Sequence, residues 1–477
     1  MPRWFSVFLV AACLAGACLV TGKYQVEGDT LWHLKAGEWI VAHGAVPKAD
    51  PFSWTAGGKP WHAHEWLWEV LAYGASCLGG KWGVWALTCA GALLWGGSLF
   101  HLTRRSGTLG VCLAGFALLC ASPFWDARPH SLAQGLWALW VCLLSGVVSR
   151  KGWKAGLPAG LSLAALWANL HASAVMAPLS ALLFALPPGP RGERLGYLGA
   201  AAGAALGACL NPWGAGIYPY ALAASRAPDV VDHIGEWSSP DFHNSFFLLS
   251  FLVLFAPALL GVLCRAREGS GLRPAHLFLA LTSVMALVSV RHMPYFYFAA
   301  AWAASRDLLP LYLRAASGRV AAAALSLVAA LVAATTLAAG AAHFPPSWTE
   351  DPRAHLPFPE GAVDFMLERG LTERVFNYYG WGGYLVYRGV RPFVDGRADM
   401  YVLSGSGVFR DYFRASGGLK GGRWEPCDPL GVMEKWGVEA VLVPRGSLPE
   451  LALEGRGWEA VYRDDFSVLL VRDRERR

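Results

Sequence analysis

Between Glu27 and Glu69 the chain sets titratable side chains among tryptophans: E-G-D-T-L-W-H-L, then D-P-F-S-W-T, then P-W-H-A-H-E-W-L-W-E. Asp29, His33, His62, His64 and Glu65 are the residues with chemistry in them. A carboxylate near a membrane surface is partly desolvated, which raises its pKa and makes it a usable general base. Asp29 stands in that position, a few residues past the first apolar run, and Glu65 is the second candidate catalytic carboxylate. Asp29 could equally hold a divalent ion, or cap the amphipathic stretch from Leu31 to Val41, since Asp is a favoured helix N-cap. His62 and His64, two apart, share a face only of a strand. With Glu65 they offer metal-ligand or hydrogen-bonding groups, but the spacing is not the HExxH zinc arrangement. No metal site is therefore assigned, and a divalent cation is the one candidate cofactor.

Other turns carry similar groups: W-D-A-R-P-H from Trp125, N-L-H from Asn169, E-W-S-S-P-D-F-H from Glu236 and R-H-M-P from Arg291. Arg128 with His130, and Arg291 with His292, are candidate phosphate-binding pairs, because a guanidinium grips a phosphate through two parallel hydrogen bonds. At a membrane the natural phosphate is that of a lipid-linked donor. The competing reading is snorkelling to lipid headgroups, or an ion pair with Asp126. His33, His62, His64, Asn169, His171 and Glu236 complete the expected pocket. Later come F-N-Y-Y-G-W-G-G-Y-L and R-P-F-V-D-G-R-A-D. Trp381, Tyr384, Asp395 and Arg397 in these runs are expected to line an acceptor groove; a turn-rich core of a small domain would use the same residues. Trp32, Trp39, Trp54, Trp61, Trp66 and Trp68 could stack on sugar rings, or simply sit at the membrane interface, where tryptophan is enriched.

These residues need elements to hold them. The 477 residues are 55% hydrophobic and 16% charged, against about 25% charged in a soluble globular protein. Repeated apolar runs of near-spanning length then predict a polytopic α-helical membrane protein with about eleven transmembrane helices. They fall near 4–22, 82–102, 107–123, 131–149, 156–169, 172–188, 195–211, 245–264, 274–291, 294–305 and 320–341. The first is expected to be an uncleaved helix, although Val10-Ala11-Ala12-Cys13 resembles a cleavage box. The eight cysteines in apolar runs read as packing residues. Arg3, Arg104, Arg105, Arg150, Arg265, Arg273 and Arg314 share the side of the N-terminus, so the positive-inside rule places that terminus inside and the C-terminal part outside. On this topology only His101 and His276 of the 13 histidines face inward. The net charge of +6 is then a membrane-topology signal, and no nucleic-acid partner is expected.

Two domains follow: a transmembrane domain, 1–341, with a large first outer loop, 23–81, and a small extracytoplasmic α/β domain, 342–477, entered through Pro345-Pro346 and Pro357-Phe358-Pro359. In the latter, helices near 361–369 and 428–436 alternate with strands near 374–378, 440–443, 458–463 and 467–471, with further extended pieces at 383–387 and 392–394. A GxxxxGK[ST] loop, a helix-opening GxGxxG and a GxSxG elbow are missing from the sequence, so ATP-driven and serine-hydrolase chemistry have no support.

This plan resembles the GT-C superfamily of integral membrane glycosyltransferases, which includes protein mannosyltransferases, aminoarabinose transferases and oligosaccharyltransferases. Asp29 matches the position of their catalytic Asp, in the first outer loop just after helix one. Tyr378-Tyr379-Gly380-Trp381-Gly382-Gly383-Tyr384, followed by Val394-Asp395-Gly396, is faintly similar to the oligosaccharyltransferase WWDYG segment, but no WWDYG stands here, so recognition of a peptide sequon does not carry over. The chain also resembles bacterial membrane proteins with a D-x-x-W-H-L, D-P-F-S and H-E-W-L loop. The resemblance implies transfer of a sugar from a polyprenyl-phosphate donor to a glycan, lipid or protein acceptor on the outer side of a bacterial inner membrane. The alternative is a non-catalytic, membrane-anchored glycan- or peptide-binding protein.

Overall fold

Small residues let the apolar helices touch backbone to backbone, and the fold uses them that way. The computed structural model describes residues 3–22, 27–231, 233–309, 319–342, 350–351, 356–417, 419–420, 423–424 and 426–473. Lys23, Arg314 and the expected Pro345-Pro346 linker lie outside the described residues. The chain is mostly helical, with a small sheet in its C-terminal part. It divides into two compact units: 1–25, 81–218 and 236–346 form the first, and 26–80, 219–235 and 347–477 the second.

The first unit is helical. Each of the expected apolar segments within it is a helix, from Arg3–Thr21 to Arg319–Ala341. Among the described residues of the chain, five stretches are long and apolar enough to cross a membrane: Trp4–Thr21, Trp66–Phe124, Pro129–Lys151, Ser245–Arg267 and Ala323–Ala341. The helices Trp153–Leu170 and Arg191–Gly207 interlock through glycines. Gly160 meets the Ala200 carbonyl, Gly203 the Leu157 carbonyl and Gly207 the Leu161 carbonyl, each with no room for a methyl group. Gly16 and Gly340 do the same between the first helix and Arg319–Ala341. Trp95, Trp125, Trp137, Trp140, Trp167 and Trp302 fill the interior.

The second unit is built on a four-stranded sheet: β1 (Val375–Asn377), β2 (Ala440–Pro444), β3 (Trp458–Arg463) and β4 (Ser467–Arg472), in the order β1-β2-β4-β3. β1 and β2 are parallel, and the other pairs antiparallel. Helices Glu360–Arg369 and Pro429–Trp436 lie where the pattern places them. Two expected extended pieces differ. Residues 383–387 belong to the helix Gly382–Tyr387, because Gly382 and Gly383 allow the chain to turn against neighbouring backbone. Residues 392–394 contribute only a single bridge, Val375 to Pro392.

The first-loop helix Gly28–His43 belongs to this same unit, and Leu31 on it is buried in one core with Phe358, Val363, Met366, Trp381, Leu385 and Leu469. Burying one such leucine contributes roughly 1.5–3 kcal/mol. Gly28 meets the Gly380 carbonyl and Gly383 meets the Gly28 carbonyl, so the helix start and the Y-Y-G-W-G-G-Y run are in backbone contact. Residues 50–61 continue the attachment. Trp54 Nε1 donates to the Val375 carbonyl at 3.0 Å and Thr55 Oγ1 to the Phe393 carbonyl at 2.5 Å.

Candidate functional site

Glu27, in extended backbone, is the N-cap of Gly28–His43, and Asp29 stands in the first helical turn, half-buried. The capping role open in the sequence therefore belongs to Glu27's position. Trp32 Nε1 donates to Asp29 Oδ1 at 3.1 Å. The Asp29 carboxylate also lies directly over Gly396, where any side chain would occupy its place. Asp29, His33 and Gly37 are spaced i, i+4, i+8 and share one face of the helix. Gly37 abuts the Glu69 carbonyl. His33 Nδ1 is 3.4 Å from Glu69 Oε1 and its Nε2 is 3.8 Å from Glu65 Oε2.

From Glu65 a polar chain continues. His64 Nε2 is 3.4 Å from Glu65 Oε1, and His64 Nδ1 is 3.0 Å from the Tyr220 hydroxyl and 3.0 Å from the His62 carbonyl. Tyr220 donates a short hydrogen bond to Asp399 Oδ2. The His62 ring stacks on Tyr220 at 4.8 Å. Burial alone would lower the His64 pKa, but Glu65 and Asp399 outweigh it and hold His64 up at about 9. A charged imidazole donates from both nitrogens, as the geometry here requires. His62, by contrast, is lowered by burial and by the neighbouring His64. Tyr220 is raised well above the usual range, by burial first and then by Asp399.

Trp381, Tyr384, Asp395 and Arg397 do not line an open groove: all four are buried. Trp381 and Tyr384 belong to the core that holds Leu31. Arg397 makes a two-bond fork with Asp395 (Nε to Oδ1 2.8 Å, Nη2 to Oδ2 2.6 Å) and reaches Asp50 Oδ1 with Nη1 at 2.6 Å. Tyr401 donates to Asp395 Oδ2 at 2.8 Å. Asp50 accepts from the backbone N–H of Phe52 and Ser53, at 2.9 and 3.1 Å, and from the Ser53 hydroxyl. The guanidinium lies 4.8 Å from the Trp61 ring and 5.2 Å from that of Phe52. Burial would lower the Arg397 pKa and raise that of Asp50, but their mutual attraction and the hydrogen bonds leave both charged, Arg397 above its usual value and Asp50 below. Sequence reasoning missed Asp50 and Tyr220; it placed Asp399 in the acceptor groove with Asp395 and Arg397, whereas Asp399 accepts from Tyr220. The D-P-F-S turn was the available signal for Asp50, since Asp bonds the backbone two residues on.

The first unit gathers a different set. Arg128 Nη1 is 2.8 Å from Glu236 Oε1 and 4.0 Å from Asp126 Oδ2. The Arg291 guanidinium sits 5.2 Å from the Trp237 ring, next to Glu236 in sequence. Ser289 donates to the Glu236 carbonyl at 2.9 Å, which ties the Glu236 turn to the Arg291 turn. His130 Nε2 bonds the Phe124 carbonyl at 3.1 Å. His292 Nδ1 bonds the Met285 carbonyl at 3.2 Å, and burial, then Arg291, push it down to about 4. A neutral His292 adds no positive charge for a phosphate. Asn169 bonds the Ala165 and Leu210 carbonyls at 2.8 Å each, and His171 accepts from Ser173 N at 3.0 Å, so both order their turns.

No protein-family model matches the sequence, and no curated protein matches it. Solved structures do. ArnT from Cupriavidus metallidurans bound to undecaprenyl phosphate is similar over 98% of this chain and 98% of its own, with a TM-score of 0.57 and 12% identity. The archaeal oligosaccharyltransferase AglB from Archaeoglobus fulgidus, in complex with an inhibitory peptide and a dolichol-phosphate, is similar over 93% of this chain and 70% of its own, with a TM-score of 0.56 and 13% identity. At such identities the likeness is one of fold: this chain shares the fold of these two structures.

Proposed function

We propose that a chain with this fold works as a membrane glycosyltransferase, moving a sugar from a polyprenyl-phosphate donor to an acceptor, with Asp29 as the general base. The observation that carries the reading is the Asp29 carboxylate itself: half-exposed, at the start of a helix, oriented by Trp32 and fitted over Gly396. A base must be held in one orientation to work, and Trp32 and Gly396 hold the Asp29 carboxylate in one.

In the proposed step the acceptor hydroxyl or amine gives its proton to Asp29 as its heteroatom bonds the anomeric carbon. The bond from that carbon to the phosphate oxygen breaks, and its electron pair stays on the departing polyprenyl phosphate. The role of Arg128 and Arg291 is to bind this phosphate, whose charge grows as the bond breaks. Arg128 must then exchange part of its pairing with Glu236 for the phosphate. Glu65 completes the polar surroundings through His33 and His64. A divalent ion would act by polarising the phosphate, but the residues fit one poorly. Hard cations take several oxygen ligands, and the charged His64 has no lone pair to add. No step is routed through an ion.

The reading also includes all eleven helices as spans, a bacterial inner membrane, an inside N-terminus, residues 1–341 as the membrane domain and 342–477 as the outside domain. The experiment is sugar transfer by purified protein in nanodiscs with a panel of polyprenyl-phosphate sugars. Wild type is compared with Asp29→Asn, with and without chelator. Transfer that survives in Asp29→Asn removes the catalytic assignment.

A further inference from the structure

The helix Pro274–Val288 starts after Arg273, and the helix Met293–Asp307 starts after the Arg291 turn and returns to the Arg273 end. That end of the first unit, opposite Arg291, holds one buried carboxylate, Asp307. Asp307 packs against Gly261 of the helix Ser245–Arg267, where a side chain would have no room. Basic groups gather on it. Arg273 Nη1 is 2.8 Å and Arg265 Nε 3.7 Å from Oδ1, and His276 Nε2 is 2.6 Å from Oδ2. A third segment joins them: Ser106 Oγ donates to the Ser305 carbonyl at 2.7 Å, which brings the Arg104–Ser106 turn to the same place.

The positive charge here exceeds what Asp307 can balance. Arg273, Arg105 and Arg265 repel the Arg306 guanidinium, against the pull of Asp307. Both oxygens of that carboxylate are already taken by Arg273, Arg265 and His276. Arg105 and Arg306 are exposed and make no hydrogen bond or ion pair among the described residues. Glu193 accepts from Ser149 Oγ at 2.5 Å and from the Tyr197 hydroxyl at 2.7 Å. Neither Glu193 nor Glu268 pairs with these arginines among the described residues. Residues 310–318, which follow in the sequence, hold Arg314 and no acid.

We propose that Arg105 and Arg306 hold the phosphate of an anionic phospholipid, with Arg265 and Arg273 adding to the positive field. A guanidinium grips a phosphate through two parallel hydrogen bonds, and basic pockets between spanning helices take lipid headgroups. Charge that only sets topology needs no convergence of side chains from separate helices. The acyl chain has a place as well. Leu260, Leu263 and Arg267 are spaced i, i+3, i+7 on the helix Ser245–Arg267, so they share one face, and both leucines are 51% exposed. A free phosphate makes no use of that face, and a zwitterionic headgroup brings a cation that the arginines repel. The proposal does not rest on the transferase reading, because neither Arg128 nor Arg291 takes part.

The test is native mass spectrometry and thermal melting of the full chain in detergent. The probes are phosphatidylglycerol, phosphatidylcholine and inorganic phosphate. Phosphatidylglycerol is expected to stay bound and to raise the Tm, as any ligand of the folded state does, and the other two are not. The double variant Arg105→Gln/Arg306→Gln should weaken phosphatidylglycerol binding ~10-fold or more, through lost hydrogen bonds to a charged group. Its Tm without lipid should be unchanged or raised, because repulsion among the guanidiniums is relieved. Lys151→Gln/Lys154→Gln removes the same charge from another loop and should leave binding unchanged. Equal retention of phosphatidylcholine overturns the proposal. So does equal weakening in the lysine variant, which would leave only attraction to a charged surface. An equal rise in Tm with inorganic phosphate also overturns it, since the ligand would then be a soluble anion.

Discussion

The Asp29 carboxylate lies against Gly396, although the two residues come from separate stretches of the second unit's sequence. Position 396 therefore sets the orientation of position 29. Gly396→Ala places a methyl group where Asp29 Oδ1 stands. The carboxylate swings aside and loses Trp32, while the core loses little. Transfer should fall by on the order of 10²-fold, the effect of misplacing a catalytic group by about 1 Å. Kinetics read against Tm separate this from unfolding.

The Asp395–Arg397–Asp50 cluster makes a prediction about stability alone. Arg397 is 1% exposed, and its removal leaves two buried carboxylates facing each other. Arg397→Ala should cost about 3–5 kcal/mol, the usual effect of breaking a buried ion pair. Arg397→Lys should recover little of it, because an ammonium cannot make the fork to Asp395. Chemical denaturation of wild type and both variants checks the order.

His64 supplies a pH dependence. Its folded pKa is raised, to about 9, above an ordinary value of about 6.5. The charged form thus contributes stability that is fully present below pH ~6.5 and lost as pH rises through about 9. Thermal melts should show the second unit weakening across that window, by about 3 kcal/mol at most. His64→Gln should flatten the profile. A profile equally steep in the variant would place the titration elsewhere.

Helix packing in the first unit is tested at Gly160, which meets the Ala200 carbonyl of the facing helix. Gly160→Leu must push the two backbones apart. Tm in detergent should drop by several degrees, whereas Gly192→Leu on the same pair, where the added carbon meets nothing, should leave it unchanged.

Much of this was readable beforehand, and the failures have a common cause. Asp29 and the 62–65 run stood out because charge is rare in so apolar a chain, and the helical segments followed from the lengths of their apolar runs. The sheet strands β1 to β4 were legible from their short apolar runs and flanking turns, and only β3 alternates buried and exposed residues. Trp381, Tyr384, Asp395 and Arg397 were misjudged because aromatic and charged residues beside glycines describe a binding groove and a buried, ion-paired core equally well. What decides between them is Asp50, which is 347 positions from its partner Arg397, beyond the reach of any spacing rule. Tyr220 was invisible for the same reason, being 179 positions from its partner Asp399.

The attachment of residues 50–61 to the sheet has a consequence for biosynthesis. A ribosome makes Asp50, Trp54 and Thr55 early, and Val375, Phe393 and Arg397 more than 300 residues later, counting from the Trp54–Val375 separation of 321. At the ~5–20 residues per second of translation, the loop waits tens of seconds with its carboxylate unpaired and its apolar helix face uncovered. Contacts of such sequence separation form late and slowly. The second unit is thus completed only when synthesis is nearly over.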